Sequence, residues 1–138
     1  MNNLILNESE KVKFRIENGV LICEFSDVSC RLTENKIKTY IHHIEIIAQG
    51  KPMPFLINIK SFVGSFSIPA AKLFANSPVL KKIRISEAFV VDTLNGKLLV
   101  NSYKRIYEPE TTFQVFSTVE DAFVFCVESK NKFYARQN

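Results

Sequence analysis

The sequence predicts a single α/β domain: a mixed, mostly parallel sheet of about five strands, opened by a β-hairpin and covered by helices, in the order ββαβαβαβα. Three observations carry this expectation. Asn18-Gly19 separates two runs of β-forming residues, and both tolerate the positive φ that a two-residue hairpin turn demands. Downstream, short apolar runs alternate strictly with stretches of helical period. Such strand–helix–strand connections force parallel pairing with right-handed crossovers.

The elements follow in chain order. In KVKFRIENGVLICEF, Val12, Phe14 and Ile16 alternate with Lys13 and Arg15, the period of a half-buried strand. Val20 to Phe25 form the return strand, and Leu4-Ile5-Leu6 can add a short edge strand. Residues 33–49, TENKIKTYIHHIEIIAQ, read as a helix with Ile37, Tyr40, Ile41, Ile44 and Ile47 on one face. Thr33 is its N-cap, Leu32 staples onto Ile37, Gly50 ends it and Pro52 blocks its extension. Pro54 to Ile59 is nearly all apolar, as in a strand covered on both faces.

The stretch SFVGSFS then reads as a loop in which Gly64 supplies a positive-φ turn. Ser67 caps the next helix, which carries Pro69 in its first turn and buries Ala70, Leu73 and Phe74. Asn76-Ser77-Pro78 breaks or kinks that helix, and Val79 to Ile83 adds a turn. Ala88 to Val91 is a further apolar strand. Leu94, Leu98, Ser102 and Ile106 mark the stripe of a helix ending near Pro109. Phe113, Val115 and Phe116 form the last strand. Ser117 and Glu120 make a capping box for a helix burying Val119, Ala122, Phe123 and Cys126. The expected organisation is a polar segment over 1–10, one domain over 11–129, and a polar, frayed tail over 130–138.

Composition agrees with a self-sufficient globular core: 138 residues, 46% hydrophobic and 23% charged, with twelve Phe and no Trp. The net charge of +4, from 18 basic and 14 acidic residues, is mild and scattered. A nucleic-acid binder needs a denser basic patch with interleaved aromatics. The three cysteines, Cys23, Cys30 and Cys126, are odd in number and show no Cys-x-x-Cys spacing, so they form no disulfide framework; Cys23 and Cys126 read as core thiols. The N-terminus has neither the charge nor the apolar run of a signal peptide, and no stretch is long enough to cross a membrane. The expectation is a soluble cytoplasmic protein with no membrane insertion.

The hairpin, the "PFLINIKSF" strand, the "SIPAAKLFA" helix, the "EAFVVDT" strand and the closing "FQVFSTVEDAFVFC" fit one pattern. The chain resembles the STAS-like proteins, the SpoIIAA-like fold of bacterial anti-sigma-factor antagonists, over roughly residues 11–128. Its resemblance is to the small stand-alone members of uncharacterised function. In the antagonists an Asp-Ser-[Ser/Thr]-Gly stretch opens the second helix, and a serine there is phosphorylated to switch partner binding. Here the corresponding text is SFVGSFSIPA, and that motif is absent.

The resemblance and the residues together select the candidate site. Ser65 and Ser67 are the hydroxyls nearest the helix start. Each is a candidate phosphoacceptor, since helix N-termini favour added negative charge, and Ser67 is alternatively a plain N-cap. Phe62, Gly64 and Phe66 are the candidate partner contact, provided the rings face solvent; if buried, they close the core. Asn58 and Asp92 sit at strand ends, where α/β sheets place function, and Asp27 shares that ambiguity. His42 and His43 are adjacent on a helix and point about 100° apart, a poor geometry for one metal. Glycine-rich phosphate loops, nucleophile elbows and His-Glu-x-x-His are absent. The expectation is a non-enzymatic regulatory or protein-interaction module with no cofactor or metal, an unidentified protein partner and a candidate homodimer. The alternative is a binder of a small apolar or lipid-like ligand, because STAS-like folds resemble lipid-binding CRAL-TRIO domains in core topology.

Overall fold

The computed structural model describes residues 3–5, 12–25, 28–60, 62–107 and 112–137. Asp27 and Pro109, singled out from the sequence, lie outside the described residues. The chain opens with β1 (Asn3–Ile5), β2 (Val12–Glu17) and β3 (Val20–Phe25), with β1–β2 and β2–β3 paired antiparallel. Asn18 and Gly19 join β2 to β3 with φ of 49° and 74°, the two-residue turn whose twist suits a hairpin. Beyond β3 come β4 (Val28–Leu32), α1 (Glu34–Ala48), β5 (Met53–Asn58), β6 (Phe62–Phe66), α2 (Ile68–Asn76) and α3 (Pro78–Ile83). The chain continues through β7 (Arg84–Val90), α4 (Leu94–Tyr107), β8 (Thr112–Phe116) and α5 (Val119–Gln137).

The main sheet has the order β1-β2-β3-β5-β7-β8, antiparallel at the hairpin side and parallel from β3 onward. Apart from the three-residue edge strand β1, this is the expected five-stranded mixed sheet. From β3 to β8 each connection moves one strand in the same direction. Crossovers of one hand therefore place their helices on one face. That face carries the larger core, where Phe14, Leu21, Cys23, Phe55, Ile57 and Phe89 meet residues from α1, α2, α3 and α4. On the opposite face, Val20, Ile22, Leu56, Ala88 and Val90 pack on Ala122 and Cys126 of α5, the one element covering it among the described residues.

A second, two-stranded parallel sheet pairs β4 with β6, from Val28↔Phe62 to Leu32↔Phe66. β3 and β5 are neighbours in the main sheet. Their continuations peel away past its carboxyl end and pair again, and Ser67 N donates to Leu32 O at 2.9 Å to extend this ribbon. The stretch expected as a loop is therefore a strand. Gly64 lies inside it in register with Cys30, not in a turn. Five strand residues broken by glycine and serine give no alternation to read, since β6 pairs with a strand almost as polar as itself.

Other corrections are local. The α1 N-cap is Thr33, accepting from Lys36 N at 3.3 Å as expected, but the left-handed cap at its other end is Gln49, with Gly50 following. Ser77 caps α3 through Leu80 N, so the expected break at Asn76-Ser77-Pro78 separates α2 from the added turn α3. β7 begins at Arg84, four residues before the apolar run, because Arg84, Ser86 and Glu87 are buried polar residues. Among the described side chains of α4, Val100 and Tyr103 are buried, while Leu94 and Leu98 are 72% and 54% exposed. Those two leucines of the expected stripe thus face outward, and the side chain of Ile106 lies outside the described residues. Thr118, not Ser117, caps α5 by accepting from Asp121 N at 3.2 Å. Helix α5 runs on through the expected tail, tied down where Lys130 Nζ donates to Asn18 O at 2.6 Å and Tyr134 OH to Pro52 O at 2.5 Å.

Candidate functional site

The carboxyl ends of β5 and β7 and the β4–β6 ribbon form the region to which the sequence points. Asn58 closes β5 in a side-chain turn, its Oδ1 accepting from Lys60 N at 3.1 Å. Lys60 reaches across to Asp92 at 3.9 Å, an exposed pair of little energetic weight. The two strand-end candidates are therefore linked through Lys60. Thr93, beside Asp92, accepts from Gly96 N at 3.0 Å and caps α4.

The two serines differ. Ser67 Oγ accepts from Ala70 N at 3.1 Å, the N-cap bond of α2, and so satisfies an amide the helix cannot satisfy itself. Ser65 is half-buried on β6, and its hydroxyl accepts from Arg31 Nη1 at 3.1 Å across the ribbon. Neither partner can take a proton from the hydroxyl, so neither serine is set up as a nucleophile.

Phe62 and Phe66 turn inward. Phe62 meets Phe25 edge-on at 5.9 Å and Phe66 meets Tyr103 at 6.3 Å, both partly buried against the larger core. The large apolar residues of β6 and α2 that do face solvent are Val63 and Ile68, 68% and 69% exposed. Sequence reasoning missed them. Five residues broken by glycine and serine offer no alternation that would mark Val63 as outward.

Beneath the ribbon lies a cavity of about 110 Å³. Its walls come from the sheet (Phe14, Cys23, Ile57, Phe89), from α1, α2 and α4, and from Leu32, Phe62 and Phe66 on the ribbon. No Asp, Glu, Lys, Arg or His lines it.

Elsewhere in the core, Arg84 and Glu87 form a fully buried ion pair at 3.7 Å. Arg84 donates to Phe74 O and Ala75 O, both at 3.2 Å, and lies over the Phe74 ring at 5.1 Å. It thereby satisfies carbonyls that the end of α2 leaves without helical partners. Burial pushes the Glu87 carboxyl above its ordinary value, and Arg84 partly opposes the shift. The thiols shift upward as well: burial raises Cys126 to about 12, and burial with the nearby Glu87 raises Cys23 strongly. His42 is exposed and His43 half-buried, with ring centroids 5.8 Å apart. Among the described residues no group of three or more His, Cys, Asp or Glu is placed to hold a metal, and no helix is long and apolar enough to cross a membrane.

A hairpin-opened, mostly parallel sheet with crossover helices on one face and α5 on the other defines a mixed α/β protein of the SpoIIAA-like fold. A solved structure from Shewanella loihica PV-4, an uncharacterised protein of the DUF3478 family with a SpoIIAA-like fold, superposes with a TM-score of 0.58. The match is 16% identical and covers 83% of this chain and 91% of that one. Residues 14–130 match the domain of unknown function DUF7793, and the chain belongs to that family. No curated protein matches it.

Proposed function

We propose that the protein is a non-enzymatic SpoIIAA-like contact module that engages a protein partner through the outer side of β6 and the start of α2. The observation behind this is the exposed pair Val63 and Ile68, two large apolar residues flanking the Ser67 cap at the carboxyl end of the sheet. The contact differs from the Phe62/Phe66 surface drawn from sequence, because those rings line the interior. A phosphate in this region belongs on Ser65 instead of Ser67. The Ser67 oxygen is committed to the α2 cap, whereas Ser65 faces a guanidinium suited to phosphate.

The test is affinity capture from the native lysate with the intact protein and with a Val63→Asp/Ile68→Asp double variant. Specific capture lost in a folded double variant supports the reading. An unchanged capture, or none, overturns it. Light scattering on the same samples identifies a second copy of the chain as the partner if the intact protein is dimeric and the variant monomeric.

A second reading, binding of a small apolar ligand, is favoured by the cavity. At about 110 Å³ it falls below the roughly 300 Å³ lower bound of sites for drug-sized ligands, and so has no room for a lipid chain.

A further inference from the structure

We propose that the cavity under the β4–β6 ribbon is a binding site for one compact, uncharged aromatic molecule, about the size of a single six-membered ring. The proposal rests on the second reading above and narrows it to one ligand class.

Size comes first. The cavity of about 110 Å³ far exceeds the gaps of a close-packed interior. Apolar cavities of about 150 Å³ stay free of water and take up benzene or xenon. The room is made by two consecutive small residues on α2, Ala70 and Ala71, both buried on the cavity wall. Any longer side chain there would fill the space.

The walls select the chemistry. Eight of the eighteen lining residues are aromatic. Several already meet edge to face, Phe25 on Tyr40 at 6.1 Å and Phe66 on Tyr103 at 6.3 Å. A guest ring placed among them continues that arrangement, with its edge on their faces. A charged guest would surrender its hydration and meet no counter-charge on the walls.

The position gives access. Most lining residues are buried; those that reach solvent are Leu32, Ile59, Phe62, Phe66, Phe74 and Leu99. Most of these belong to the ribbon and its approach, so the way in runs beside it, at the carboxyl end where open α/β sheets receive ligands. A two-stranded ribbon is marginally stable by itself and is the wall most able to yield.

The experiment is a titration of the full chain with toluene, followed by amide chemical shifts and by thermal melting, with octanoate as a parallel probe. Two variants fill the space from different helices, Ala71→Leu and Val100→Leu, each checked for folding by circular dichroism. The expected result is saturable shifts centred on the lining residues, a toluene-dependent rise in Tm, and affinity weakened about tenfold or more in a folded filled variant. No saturable shift in the folded wild-type protein overturns the proposal. So do shifts centred elsewhere, or binding undiminished in a folded filled variant. If neither variant folds, the wild-type shift map decides. Binding of octanoate in place of toluene overturns the aromatic claim while leaving the wider apolar-ligand reading standing. Binding of neither removes both.

Discussion

Ser67 holds the start of α2 through one hydrogen bond, so Ser67→Ala is expected to cost about 1 kcal/mol and Ser67→Asp, which keeps an acceptor, much less. Urea denaturation of the two variants measures it. The Arg84–Glu87 pair carries a larger stake. A carboxyl whose folded pKa is raised stabilises the fold fully below its unfolded value, and that contribution is lost as pH rises through the folded value. For Glu87 the loss begins above the ordinary 4.5. Glu87→Gln is expected to flatten the fall of stability with rising pH. Arg84→Met removes the cation that opposes the shift, and is expected to steepen the fall and to cost about 3–5 kcal/mol at neutral pH. Denaturation midpoints of both variants between pH 5 and 8 decide the sign. Cys23 and Cys126, buried and held as neutral thiols, are expected to resist a thiol reagent at pH 8 until the protein is unfolded. At this scale the caps Thr33 and Ser67 were legible, because capping is decided within three residues of chain. The buried ion pair was not. Nothing local to Arg84 or Glu87 distinguishes a charge bound for the core from one bound for solvent.

At the scale of elements, α4 offers a direct check on which face is inside. Val100→Ala is expected to cost about 2 kcal/mol, whereas Leu98→Ser is expected to stay within about 0.5 kcal/mol. The reverse result would restore the stripe first read through Leu94 and Leu98. Two overlapping apolar rows run along this helix, and periodicity cannot rank them. The choice is made by Phe66, Phe74 and Phe89, which converge on Tyr103 from elements distant in sequence. The hairpin, α1, β5 and α2 were legible because each carries its own turn or cap chemistry beside a clear period. The β4–β6 ribbon was not, since each strand is defined by the other, 34 residues away in register. The continuation of α5 to Gln137 was hidden for a related reason: its last turns are polar and are held by backbone carbonyls at Asn18 and Pro52.

Across the whole molecule, the order of elements sufficed for the sheet, because crossovers of fixed hand leave little choice of topology. The site was half legible. The region was marked by its place after β5, but the sequence left open whether Phe62 and Phe66 face solvent or core, and the structure packs both against the core and exposes Val63 and Ile68. Added apolar atoms in the cavity gain packing contacts, so the filled variants are expected to melt higher than wild type wherever those atoms fit without strain.

Among the described residues the sheet's second face is covered by α5, which follows every strand it protects. During synthesis, at roughly 5–20 residues per second, the strands leave the ribosome before the helix does. Val20, Ile22, Leu56, Ala88 and Val90 then present a continuous apolar surface with nothing yet made to cover it. A nascent chain of this protein therefore passes through a stage at which a holdase chaperone has a broad, flat target, and the target vanishes once residues 119–137 have emerged.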